Sequence, residues 1–198
     1  MRKIGLTGSI ATGKSTVLKA FAALGVPVFS ADEAVHELYQ SEAVAPVAKA
    51  FPGVARDGKI DRAALSAALV KAPETLATLE AIVHPLVRRR VAAFLKHAEA
   101  GGALLAVADI PLLFESGYDY GLDAVAVTVT TDAIQRQRAM SRPGMTVEKF
   151  ETILARQMPQ AEKRARATYI FDTSGAPNET RKRVKALVDA IKASPNGI

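Results

Sequence analysis

Gly8-Ser9-Ile10-Ala11-Thr12-Gly13-Lys14-Ser15 matches the spacing G-x-x-x-x-G-K-[ST] in full. The glycines let the backbone curl until successive amide hydrogens converge, and a helix that starts at the loop's far end adds about half a positive charge there. Such a concavity suits the β- and γ-phosphates of a nucleotide. Lys14 supplies a mobile cation for phosphoryl oxygens, the Ser15 hydroxyl is placed to coordinate Mg²⁺, and Thr16 lies just inside the helix, near the α-phosphate. The candidate nucleotide ligands are therefore Gly8, Ala11, Thr12, Gly13, Lys14, Ser15 and Thr16.

Two acids and a group of arginines have the right types to act on what the loop holds. Asp32 follows a short apolar run, where a carboxylate can orient an acceptor hydroxyl and take its proton. Ser30-Ala31-Asp32-Glu33 is also a capping box, and an acid in a first helical turn is favoured whatever the function. Asp109 ends Leu104-Leu105-Ala106-Val107-Ala108, which makes it either a magnesium-holding acid or the cap of a strand. Arg138 and Arg142 are four apart on one helix face, and Pro143 puts Arg142 at the helix end. Between Ile134 and Arg166 stand eight bases against three acids, a local excess that asks for phosphate. A helical hairpin carrying arginines closes over a triphosphate, excludes water and offers guanidinium groups to the charge in transit.

These residues need a frame. Lys3–Thr7, Val26–Phe29, Leu104–Ala108, Ala124–Val129 and Tyr169–Asp172 read as strands, and Pro27 places the second at a sheet edge. Helices are expected over Ser15–Leu24, from Ser30 to about Tyr39, over Ala133–Ser141, over Val147–Met158 with Thr146 as cap and Pro159 as stop, and over Asn178–Ile191. From Ala43 to about Ala100 the pattern is helical, punctuated at Pro52-Gly53, Asp57-Gly58 and Pro73 and interrupted at His84-Pro85. Five strands with helical crossovers make an α/β protein with a parallel sheet, whose ligands bind at the carboxyl ends of the strands.

With 198 residues the chain fits one domain, and 49% hydrophobic residues set disorder aside. The absence of cysteine excludes a disulfide scaffold, a thiolate zinc site and a cysteine nucleophile, and agrees with a cytoplasmic location. Gly5, Thr7 and Gly8 break the first apolar stretch too early for a signal peptide, so none is expected; nor is a membrane partner, since no apolar run approaches about 18 residues. The net charge of +6 suits a polyanion, yet without tryptophan and with 6% aromatics no nucleic-acid partner is expected.

The chain resembles the dephospho-coenzyme A kinases over nearly its whole length. The resemblance rests on Gly8 to Thr16, on Ser30-Ala31-Asp32, on His84-Pro85, on Pro111-Leu112-Leu113-Phe114-Glu115, on Gln135, Arg138, Arg142 and Arg156-Gln157, and on Asp172-Thr173-Ser174-Gly175. It implies a three-layer P-loop kinase fold with core segments 1–31, 96–132 and 165–198, a helical acceptor-binding region 32–95 and a lid 133–164. It also implies transfer from ATP to the ribose 3′-hydroxyl of dephospho-coenzyme A by a monomer or weak homo-oligomer. By this likeness Asp32 is the general base, Lys14 stabilises the transferring phosphoryl group, and Arg138 and Arg142 are lid residues, Arg138 on ATP. Asp32, His84 and Glu115 then belong with the acceptor, and Ser15 and Asp109 with Mg²⁺. A nucleoside monophosphate kinase, or another small-metabolite kinase, is the alternative. Two positions depart from the pattern. Ala11 stands where glycine is frequent, and its methyl group requires a negative φ there; Thr173 replaces a common asparagine and leaves the adenine contact open.

Overall fold

The structure is a computed structural model and describes residues 1–193, so the last five residues of the expected 165–198 core segment lie outside it. In chain order the elements are β1 (Arg2–Gly8), α1 (Lys14–Ala23), β2 (Val28–Ser30), α2 (Ala31–Leu38), α3 (Val44–Ala50), β3 (Ala55–Arg56), β4 (Lys59–Ile60), α4 (Arg62–Lys71) and α5 (Leu76–Ala100). Then follow β5 (Leu105–Asp109), β6 (Ala124–Val129), α6 (Asp132–Met140), α7 (Val147–Ala155), α8 (Gln160–Ala165), β7 (Tyr169–Asp172) and α9 (Pro177–Ala193). The chain divides into two compact units, one formed by Met1–Phe29 with the chain from Leu95 onward, the other by Ser30–Phe94.

The first unit is built on a sheet of order β2-β5-β1-β6-β7, and β1 runs parallel to both β5 and β6. The edge position expected for β2 is found, with Pro27 just before the strand, where its carbonyl accepts from the Val107 amide. β1, β5 and β6 are almost wholly buried, which explains their runs of Val, Ile, Leu and Ala. Ile4, Leu6, Val107 and Phe171 pack with Val17 and Phe21 of α1 and Val184, Val188 and Ile191 of α9. Phe21 meets Phe171 edge to face at 5.9 Å. Leu113 and Leu122 cover the other side of β1 at Gly5.

The second unit departs from the uninterrupted helical pattern. Asp57-Gly58 is the two-residue turn of a small antiparallel hairpin, β3–β4, with positive φ at both residues (50° and 73°). Asp61 caps α4 through the amides of Ala63 and Ala64, and Ser30 caps α2 through Glu33, as the capping box requires. His84-Pro85 does not interrupt anything: α5 runs through Pro85 for 25 residues. Leu79, Val83, Val87, Val91, Leu95 and Ala98 form one buried stripe along it, and burial of that stripe outweighs the hydrogen bond that proline removes. Among the described residues no helix is long and apolar enough to cross a membrane.

Candidate active site

The Gly8–Ser15 loop leaves β1 and enters α1, the context its motif requires. Gly8 passes so close to β6 that a methyl group there would fall 2.1 Å from Thr128 Oγ1. Thr12 Oγ1 donates to the Ser9 carbonyl at 2.8 Å and meets Thr128 Oγ1 at 2.7 Å, fixing the loop to the sheet from inside. Gly13 caps α1 at φ 83°, where a side chain would also strike Thr173. Lys14 Nζ reaches Asp109 Oδ1 at 2.5 Å; Asp109 is 5% exposed and pairs in register with Leu6. Ser15 is exposed and Thr16 half-buried in the first turn of α1.

Ala11 corrects the expectation of a negative φ. It lies at φ 61°, a conformation that costs an L-residue roughly 1–2 kcal/mol. Burial of its methyl group offsets that cost: Ala11, 6% exposed, packs with Ala139 of α6 and Phe150 of α7, flanked by Ile10, Met140, Met145 and Leu154. Polar bonds reinforce the apolar seam. Gln157 Oε1 accepts from the Ile10 amide at 2.9 Å, and Gln135 Nε2 donates to the Ile10 carbonyl at 2.8 Å.

The arginines divide. Arg138 reaches Thr173 with two prongs, Nη1 to the hydroxyl at 3.0 Å and Nη2 to the carbonyl at 2.7 Å. Thr173, 3% exposed, donates in turn to the Thr12 carbonyl at 2.9 Å. Arg138 and the phosphate loop are thus tied through one side chain, a role that the departure from asparagine did not suggest. Arg142 stands exposed just beyond the end of α6, as Pro143 implies, and Arg156 caps α7. α7 itself ends at Ala155, short of Met158. Pro159 is not its stop but the N-cap of α8, a helix too short for periodicity to reveal.

Glu115 is engaged where this hairpin leads into α8. Its Oε1 lies 2.8 Å from Lys163 Nζ and accepts from the Met158 amide at 2.7 Å. Burial pushes the carboxyl up, but the bonds from Lys163 and Met158 outweigh it and hold Glu115 below the usual carboxylate range. Lys163 is fully buried. Lysine is rarely so, and nothing in Gln160–Ala165 marks it in the sequence. The remaining two candidates belong to the other unit: Asp32 is exposed in the first turn of α2, and His84 is exposed on α5.

A G-x-x-x-x-G-K-S loop between β1 and α1, with Lys14 at its end and a basic hairpin tied to it, is the arrangement of a P-loop phosphotransferase. The family model described as dephospho-CoA kinase matches residues 2–179, and the chain belongs to that family. It is 56% identical over 190 residues to a dephospho-CoA kinase of Rhizobium meliloti, covering 96% of this chain and 98% of that one. A crystal structure from Thermus thermophilus superposes with a TM-score of 0.79 at 33% identity, covering 96% of this chain and 97% of the other. The dephospho-CoA kinase of Campylobacter jejuni does so at 0.74 and 26%, over 96% and 98%.

Proposed function

We propose that this chain transfers the γ-phosphoryl group of ATP to the ribose 3′-hydroxyl of dephospho-coenzyme A, giving coenzyme A and ADP, the last step of coenzyme A synthesis. The observation that carries the reading is the phosphate loop with Lys14 at its end, in a chain of this family. Phosphoryl transfer is catalysed mostly by position and charge. The loop's amides and Lys14 hold the triphosphate and stabilise the charge on its transferring end. Arg138, fixed to Thr173, and Arg142 at the hairpin's tip bring further positive charge and shield ATP from water. Asp32 orients the acceptor hydroxyl and takes its proton, and His84 and Glu115 belong with the acceptor side.

The family also implies magnesium. Among the described residues no cluster of three or more metal-ligating side chains is present. That fits the ion, which protein sites usually hold through one or two side chains with water and the substrate's own phosphates completing the shell. Ser15 and Asp109 are the residues that would hold it, and when bound it neutralises charge on the phosphates. The absence of cysteine suits a cytoplasmic enzyme, and we assign it no partner besides its substrates.

The test is ADP release from Mg-ATP with dephospho-coenzyme A, AMP, CMP or pantothenate as acceptor. Turnover with the first at a kcat/KM at least about a hundredfold above the others is expected, since buried polar recognition readily discriminates by that much. No turnover with dephospho-coenzyme A would overturn the assignment.

A further inference from the structure

Ala11 combines a left-handed backbone with a side chain that resists it, and the surroundings show what keeps it there. Ile10 is held at both of its peptide groups. Its amide donates to Gln157 beyond α7, and its carbonyl accepts from Gln135 of α6. The amide groups of these glutamines are themselves oriented. Gln160 Nε2 donates to Gln135 Oε1 at 2.9 Å, and Gln160 Oε1 accepts from the Thr130 amide at 3.0 Å, so Gln135 must present its NH₂ to Ile10. Gln135 is 3% exposed. A buried polar chain satisfied link by link fixes geometry more firmly than its members do separately.

The carbonyl of Ile10 and the amide of Ala11 share one planar trans peptide and point in opposite directions. Fixing the carbonyl on Gln135 therefore directs the Ala11 amide away from α6. Rotation of that same plane is the motion by which Ala11 would escape φ 61°. We propose that Gln135 and Gln157 are positioning residues for ATP: by locking both peptide planes of Ile10 they hold the Ala11 amide in the orientation that the phosphate cradle uses. Neither glutamine touches the reacting atoms. Their effect passes through the fraction of molecules whose loop is ready to bind, which scales the apparent dissociation constant directly.

This rests on the kinase reading, and the experiment separates the two. ATP binding to the full chain is measured directly by calorimetry, alongside steady-state turnover and thermal unfolding. Gln135→Met, which keeps the shape and loses both the donor to Ile10 and the acceptor for Gln160, is expected to raise the Kd for ATP about tenfold, the ratio that corresponds to the bias against a left-handed alanine. KM for ATP rises with it, while kcat at saturating ATP stays within about threefold. Ala11→Gly gives the sharper reading, because glycine adopts positive φ without steric cost. Alone it should weaken ATP binding about twofold, through the lost methyl packing. Combined with Gln135→Met it should improve binding to within about threefold of wild type, a reversal of sign that a merely structural glutamine would not produce. If Gln135→Met does not fold, Gln157→Met, which removes only the bond to the Ile10 amide, is read in the same way. A wild type without ATP affinity would overturn the cradle and this inference together. A wild type that binds ATP, with a glutamine variant equal to it or a double variant no better than the single, would overturn this inference alone.

Discussion

The cradle and the Ser30–Phe94 unit are held together by different kinds of bond. Around the phosphate loop, side chains grip backbone far away in sequence: Gln135 and Gln157 on Ile10, 125 and 147 residues apart, and Thr173 on Thr12, 161 apart. In the helical unit the caps act over two or three residues, Ser30 on Glu33 and Asp61 on Ala63 and Ala64, and Arg90 adds a longer link to Glu42 at 2.9 Å. The difference teaches where preorganisation has been concentrated. The phosphate loop is over-determined by long-range contacts. Asp32 and His84, on capped or continuous helices, are instead exposed. Damage to the first region should therefore be felt through ATP, and damage to the second through the acceptor.

The sharpest way to break that division is to remove one charge from each side. Lys14→Met is expected to lower kcat with dephospho-coenzyme A by about a thousandfold or more, since under the proposed function it removes the cation that serves the transferring group, from a part-buried site where it pairs with Asp109. Asp32→Asn should lower kcat by about a hundredfold to ten-thousandfold, the range for a lost general base, with the Kd for ATP within about twofold of wild type. Single-turnover rates and direct ATP titration read both. Loss of ATP affinity in Asp32→Asn comparable to that in Lys14→Met would erase the contrast, and undiminished turnover in Asp32→Asn would remove it from the chemistry.

How much of this the sequence could tell follows from the same contrast. β1, β5 and β6 were legible because they are buried and apolar, β2 and β7 because short apolar runs are bounded by Pro or Asp, and Ala124–Val129 and Tyr169–Asp172 agree to the residue. The cradle was legible because its motif is contiguous. Its supports were not. Gln160 and Lys163 act only once the fold brings distant segments together, and so does Thr173, a departure from a common asparagine that joins Arg138 to Thr12. Ala11 was misjudged for the same reason: local sterics forbid what burial against Ala139 and Phe150 permits. In the helical unit the errors ran the other way. Asp57-Gly58 is a strong turn signal whose flanking strands, two residues each, are too short to show alternation. Pro85 overstated a break that a long buried stripe overrides.

The smallest effect expected sharpens the comparison inside the cradle's own unit, by asking whether the hairpin's foot is held by charge. Glu115→Gln keeps the shape and can still accept from the Met158 amide, but it leaves the buried Lys163 facing a neutral group. At neutral pH this should cost about 1–3 kcal/mol, the range for a weakened buried bond to a charged partner. The pH dependence fixes the sign. Folded Glu115 titrates below its ordinary 4.5, so in acid the unfolded chain takes up the proton first. The contribution is complete above that value and is lost as the pH falls through the lower, folded-state one. Glutamine does not titrate, so denaturant midpoints of wild type and variant should be well separated at pH 7 and converge only as the pH falls through the folded-state value, which lies below 4.5. A gap that stays constant down to that acidity would mean that Lys163 and Glu115 hold the hairpin by packing alone, and that the long-range bonds of this unit owe little to charge outside the loop itself.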